Sequence, residues 1–172
     1  MILRRAEISD IDSVCRIIGE AQAQMARLGI DQWQNGYPDR SAIETDILQN
    51  VGVILREEKG SEVVAYCAVI FGEEPTYARI EDGNWLTNSK SQYVVVHRLA
   101  VADRFKKQGI ATDFMRQIEH LAHERGCDSF RIDTHHDNHY MQALCARLGF
   151  VRCGTIHVSD GTPRIAYEKL LR

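Results

Sequence analysis

The sequence predicts a mixed α/β fold whose elements run β-α-α-β-β-β-α-β-α-β-β. Three observations predict it. In several segments apolar residues recur every three or four positions, as on one face of a helix. Between them lie runs rich in Val, Ile, Tyr and Phe, as in strands. Gly, Pro, Asn and Asp punctuate the joins. With 172 residues and no internal repeat, low-complexity tract or linker, the chain is expected to be a single domain over 1–172, long enough to bury a core.

The opening segment Ile2-Leu3-Arg4-Arg5-Ala6-Glu7 is followed by Ser9-Asp10-Ile11-Asp12, a capping-box-like start in which the Ser9 hydroxyl can receive a free backbone N–H. Ile11, Val14, Ile18, Ala21, Met25 and Leu28 then form one apolar stripe, and Gly29 ends the helix. Gly36 and Pro38 break the pattern, while Trp33 and Tyr37 in the same loop are costly to expose without purpose. Ser41 with Glu44 opens a second helix carrying Ile43, Ile47 and Leu48. Residues 51–56 and 63–71, separated by the polar turn 57–61, read as an antiparallel hairpin. Residues 77–82 fit either an extension of that meander or a loop. Residues 93–101 are the strongest strand, and the linker 102–108 leads into a helix with Ala111, Phe114, Met115, Ile118, Leu121 and Ala122 on one face. Phe130, Ile132 and Thr134 alternate with Ser129, Arg131 and Asp133, as in a strand covered on one face. Asn138 suits the N-cap of a helix bearing Met141, Leu144, Cys145 and Leu148, ended by Gly149. Residues 150–156 and 165–171 are expected as closing strands.

A net charge of −3 gives no electrostatic reason to expect nucleic acid or an anionic membrane as partner, and the acidic balance weakly favours a cationic substrate. No long apolar run suggests a signal peptide or membrane span. The cysteines at 15, 67, 127, 145 and 153 are odd in number, form no C-x-x-C pair and mostly lie on apolar faces. Buried free thiols in a reducing cytoplasm are expected.

The chemistry centres on Leu99-Ala100-Val101 and Lys106-Lys107-Gln108-Gly109-Ile110-Ala111-Thr112. A strand runs into a basic, glycine-containing turn and directly into a helix. The first N–H groups of a helix lack internal partners, and its dipole places partial positive charge there. Glycine permits close approach of a bulky anion, and lysines add charge. These features suit a pyrophosphate, though a glycine before a helix and solvated lysines also occur without a ligand. Neither a Walker loop nor a dinucleotide-binding G-x-G-x-x-G is present.

In order and spacing, the run His97-Arg98-Leu99-Ala100-Val101, the turn ending Gly109-Ile110-Ala111, and the segment 138–150 resemble the Gcn5-related N-acetyltransferase (GNAT) family over essentially the whole chain. That family's diphosphate motif, [Q/R]-x-x-G-x-[G/A], reads Lys106-Lys107-Gln108-Gly109-Ile110-Ala111 here, with lysine at the first position. Its second signature reads Asn138, then Leu144-Cys145-Ala146-Arg147-Leu148-Gly149-Phe150, with Cys145 where many members carry tyrosine. The resemblance implies a mostly antiparallel central sheet flanked by helices, and transfer of acetyl from acetyl-CoA, as co-substrate, to a primary amine of a small molecule or peptide by direct attack. A cytoplasmic monomer or homodimer with no metal is expected.

Carried onto this chain, the resemblance makes His97 a candidate base, the alternative being a packed strand histidine. Leu99 N–H would polarise the thioester carbonyl. Ala100, Val101, Gln108, Gly109, Ile110, Ala111 and Thr112, with Lys106, Lys107 and Asn138, would hold the cofactor. Cys145 stands where an acid for the leaving thiolate would be, the alternative being a buried core thiol; Tyr140 lies nearby in sequence. Trp33, Tyr37 and His135 are substrate-side candidates, although Trp33 would equally cap the core. The run 133–139 holds three histidines and two aspartates, enough for zinc, yet its order matches no closed metal motif. His135 and Asp133 bordering the active cleft is the favoured reading. Two alternatives to catalysis on an amine are a degenerate acyl-CoA-binding module and a metal-dependent hydrolase.

Overall fold

The computed structural model describes residues 1–60 and 62–171, so Ser61 of the expected turn 57–61 lies outside them. The elements are β1 (Ile2–Arg5), α1 (Ile11–Arg27), α2 (Arg40–Leu48), β2 (Gly52–Arg56), β3 (Val63–Phe71), β4 (Tyr93–Val101), α3 (Ile110–Glu124), β5 (Ser129–Thr134), α4 (His139–Leu148), β6 (Val151–His157) and β7 (Pro163–Leu170). This is the predicted order, a mixed α/β fold with mostly antiparallel strands. Contacts group the chain into two compact units, Met1–Val69 with His97–Gln117, and Ile70–Val96 with Ile118–Arg172.

In the first unit β1, β2 and β3 pair antiparallel, with Leu3 opposite Leu55 and Val53 opposite Cys67. Residues 52–55 of β2 are all buried. Helix α1 lays Val14, Ile17, Ile18, Ala21 and Met25 into a core shared with Ile43 and Ile47 of α2, Ile54 and Tyr66. Each of the Val, Ile and Met side chains contributes about 1.5–3 kcal/mol on burial.

Three local expectations for this unit are corrected. Leu28 lies beyond the end of α1 and is 49% exposed, and Ile17 takes its place in the stripe. The first helical segment opens at Glu7, not Ser9, with a short turn, Ile8–Asp10, and Asp10 is the reciprocal partner of Glu7 in a capping box. The Asp10 carboxylate accepts from Glu7 N at 2.8 Å and from both terminal nitrogens of Arg4 at 2.8 Å. Helix α2 starts earlier than Ser41: Asp39, in extended backbone, accepts from Ala42 N at 2.9 Å. Carboxylates win both caps because they accept two bonds and carry the charge a helix N-terminus favours.

In the second unit, residues 93–95 of β4 pair parallel with β5, and β5, β7 and β6 continue antiparallel. Strand β5 is covered on both faces rather than one: Ser129 and Arg131 are as buried as Phe130 and Ile132. The buried Glu168 of β7 allows this, accepting from Ser129 Oγ at 2.5 Å and Arg131 Nε at 2.9 Å. The undecided segment 77–82 is a loop. It leaves a short helical turn, Pro75–Tyr77, and touches β6 through one bridge, Glu81 with Thr155. The loop then packs so closely that a Cβ on Gly83 would lie 1.9 Å from the carbonyl oxygen of Cys153.

Candidate active site

Strand β4 is buried near both ends and partly open in the middle, at His97, Arg98 and Leu99. The opening coincides with a left-handed residue, Arg98 at φ 59, inside an otherwise extended strand. Such a residue interrupts the side-to-side alternation of a strand and re-aims its neighbours.

Beyond β4 the chain is pinned within the first unit. Ala102 N donates to Val64 O at 2.9 Å. Asp103 N donates to Glu20 Oε2 at 2.7 Å, starting a short helical turn. Lys106 Nζ donates to Asp103 Oδ1 and Gln24 Oε1, each at 2.5 Å. The Lys106 charge is therefore neutralised locally, whereas exposed Lys107 has no ion pair among the described residues. Gly109 follows at φ 79, a conformation most side chains resist, and a Cβ there would meet nothing within 4 Å. The first rung of α3 is Asp113 N to Gly109 O at 3.0 Å, so the amides of Ile110, Ala111 and Thr112 precede the helical ladder. Open space, unladdered amides and a positive helix end fit a diphosphate.

The loop between α1 and α2 is fixed by glutamines. Gln34 Nε2 donates to Gln22 O at 3.1 Å and Gln32 O at 3.0 Å, and Gln22 Nε2 donates to Pro38 O at 3.2 Å. Trp33 packs half-buried against the core, while Tyr37 is 46% exposed. The Tyr37 hydroxyl accepts from Arg98 Nη2. Arg98 Nη1 also donates to both oxygens of buried Asp46, at 2.9 and 3.0 Å, and Tyr66 Oη donates to Asp46 Oδ2 at 2.7 Å. Burial first, then the Asp46 charge, push the Tyr66 hydroxyl well above its ordinary value, so it stays a donor.

In the second unit Asn138 Oδ1 accepts from Met141 N at 3.1 Å and caps α4. Cys145 on that helix is buried, and its thiol is pushed up to about 12, by burial first and then by the charge of Asp133. Asp133 accepts from the hydroxyl of fully buried Tyr77 at 2.6 Å. Ligand atoms of His135, His136 and Asp137 lie within 4.8 Å of one another and could hold a metal ion. His135 Nδ1 already accepts from Asp137 N at 3.2 Å, and its ring stacks on His136 with centroids 4.2 Å apart. Ligation through that nitrogen would break the existing bond.

The profile of the Acetyltransferase (GNAT) family matches residues 22–150. The chain belongs to the GNAT acetyltransferase family. A GNAT-family acetyltransferase of Streptococcus agalactiae is 36% identical, with 98% of this chain and 94% of that chain covered and a TM-score of 0.87. Two more distant structures share the GNAT fold. One is the ribosomal-protein-S18-alanine N-acetyltransferase of Escherichia coli, 12% identical, covering 99% and 93% at a TM-score of 0.65. The other is a chain of a NatC complex bound to Gag peptide and CoA, 12% identical, covering 99% and 98% at 0.69. No curated protein matches the chain. GNAT proteins share acetyl-CoA-dependent acetyl transfer as their general chemistry.

Of the residues singled out in the sequence of this GNAT protein, the first unit contains His97, Leu99, Ala100, Val101, the turn 106–112, Trp33 and Tyr37. The second contains His135, Asn138 and Cys145. Sequence reasoning missed Asp46, Tyr66 and the role of Arg98. Asp46 sits inside the short helical stretch Ile43 to Ile47 and Tyr66 inside a strand run, where each passes for an ordinary surface or core residue. Of the described helices, none is long and apolar enough to cross a membrane.

Proposed function

We propose that the chain transfers acetyl from acetyl-CoA to a primary amine of a small molecule or peptide by direct attack on the thioester. The observation that carries this is the opening of β4 at His97 to Leu99, followed by a glycine turn whose helix presents unladdered amides. Acetyl-CoA supplies the activated acyl group. The chain supplies alignment, which is worth roughly 7–11 kcal/mol when two reactants are held in attack geometry.

In this reading the amides of Val101 and of residues 108–112 take the pantetheine arm and diphosphate, with Ala100 beside them and Lys107 adding charge. Lys106 acts through the shape of the turn, because its ammonium is engaged by Asp103. Asn138, which caps α4 in the second unit, is proposed as a cofactor residue on the family resemblance alone. Leu99 N–H polarises the thioester carbonyl, as a positioned donor does for a developing oxyanion. A lysine-like amine with a pKa of about 10.4 is neutral only about one part in a thousand at pH 7, so a base is needed, and His97 is proposed for it. Trp33, Tyr37 and His135 are proposed on the acceptor side. The free thiols, four buried and one half-buried, suit a cytoplasmic setting.

Cys145 favours a second reading. A buried thiol held near 12 surrenders its proton reluctantly, so the thiolate would leave without Cys145 as an effective acid. A chain lacking that help could instead bind an acyl-CoA without turnover. Steady release of CoA thiol from acetyl-CoA across a panel of primary amines separates the two. Turnover well above the no-amine rate supports catalysis, while tight binding without release supports the binding module.

A further inference from the structure

Arg98 is the one charged side chain at the opening of β4, and acetyl transfer as set out above gives it no role. Arg98 is held at φ 59, a left-handed conformation that a non-glycine residue adopts only when its surroundings impose it. The guanidinium is placed by Asp46, which takes Nη1, while Nε is buried without a partner. That leaves Nη2 aimed at a single group, the Tyr37 hydroxyl, with the Tyr37 ring 5.3 Å from the guanidinium carbon.

A phenol has one donor and two acceptor positions. Tyr37 uses an acceptor position on Arg98, so its own O–H is left to point elsewhere. Among the described residues no acceptor receives it, and Tyr37 is 46% exposed. Accepting from a cation also polarises the phenol and strengthens it as a donor. Asp46 balances the charge of Arg98, so an approaching molecule meets a directed neutral donor rather than a cation.

We propose that Tyr37, held by Arg98 and Asp46, donates its O–H to an oxygen of the acceptor substrate. The preferred acceptor is then an amine whose frame carries a carboxylate or carbonyl oxygen, as in an amino acid or a peptide, rather than a plain alkyl amine or polyamine. The inference rests on the acetyl-transfer reading and on Tyr37 facing the acceptor. Arg98 and Asp46 are positioning residues in it.

The test measures kcat/KM for thiol release with three acceptors sharing one side chain: a free amino acid, its amide, and the corresponding amine without the carboxyl group. Wild type, Tyr37→Phe, Arg98→Lys and the double variant are compared, with thermal unfolding confirming that each is folded. The readout is the ratio of an oxygen-bearing acceptor to the plain amine, which cancels general loss of activity. Tyr37→Phe is expected to lower that ratio about tenfold, the effect of one hydrogen bond to a polar partner. Arg98→Lys keeps a cation on Asp46 but lacks the fork that spans to Tyr37, so it should lower the ratio too. The double variant should lose no more than the larger single effect. A ratio led by the free acid assigns the donor to a carboxylate, and one led by the amide assigns it to a carbonyl. A ratio unchanged by Tyr37→Phe overturns the inference while leaving acetyl transfer intact. No thiol release by wild type with any acceptor overturns acetyl transfer itself, and the inference with it.

Discussion

Each unit sets an arginine against a buried carboxylate, and the two pairs are built to opposite ends. In the second unit Glu168 is fully buried and accepts from Ser129, Thr87, Arg131 and the backbone of Leu86 and Thr87. Its partner Arg131 lies between the rings of Trp85 and Tyr93, 4.3 and 4.0 Å from their centroids. In the first unit Arg98 leaves Nε unpartnered, occupies a left-handed position, and extends through Tyr37 to the surface. The closed network turns five donors onto one carboxylate. The open one carries strain and a free donor, which is where function is to be sought.

Removing the acid of the closed network should have the largest effect. Glu168→Ala strands a buried guanidinium and is expected to cost about 3–5 kcal/mol, read from the denaturant midpoint. A loss under about 1 kcal/mol would mean that the aromatic sandwich, not the carboxylate, holds Arg131.

Asp46→Asn keeps the shape and one acceptor but removes the charge. Because Arg98 retains some contact with water, about 1–3 kcal/mol is expected, together with weaker discrimination among acceptors. If stability falls and discrimination does not, the open network is merely a second scaffold.

Acid should distinguish the networks more gently. Burial alone would raise Glu168, but hydrogen bonds from Ser129, Thr87 and Arg131 outweigh it and hold its carboxyl below the ordinary value of 4.5. A depressed folded pKa contributes stability that is fully present above the unfolded value and is lost as pH falls through the folded one. Unfolding free energy followed from pH 6 to pH 3 should therefore fall more steeply in wild type than in Glu168→Gln. Parallel curves would contradict the assignment.

Much of the fold was legible because hydrophobic period and turn residues agree locally: β3 and β4 have the predicted bounds, and Asn138 is the predicted cap. The turn at Gly109 was legible for the same reason, since a strand, a glycine and an amphipathic helix are all local signals. Other features depend on partners distant in sequence. Strand β5 reads as half-covered because Arg131 and Ser129 are polar, and the carboxylate that receives both, Glu168, is 37 residues from Arg131. Arg98 and Asp46 are 52 residues apart, and nothing near either announces the other. At both helix starts a carboxylate neighbours the hydroxyl that the local pattern favours, and the Glu7–Asp10 capping box and the Asp39 cap fit the helix ends better.

The most direct measurement is calorimetric titration of acetyl-CoA into the purified protein and into Gly109→Trp. A bulky side chain at a left-handed turn both strains the backbone and fills the open space before α3. Micromolar binding to wild type that is lost in a folded Gly109→Trp variant is the predicted result. Equal binding by both proteins would contradict the placement of the diphosphate at this turn, and no binding by either would contradict an acetyl-CoA-dependent function for this chain.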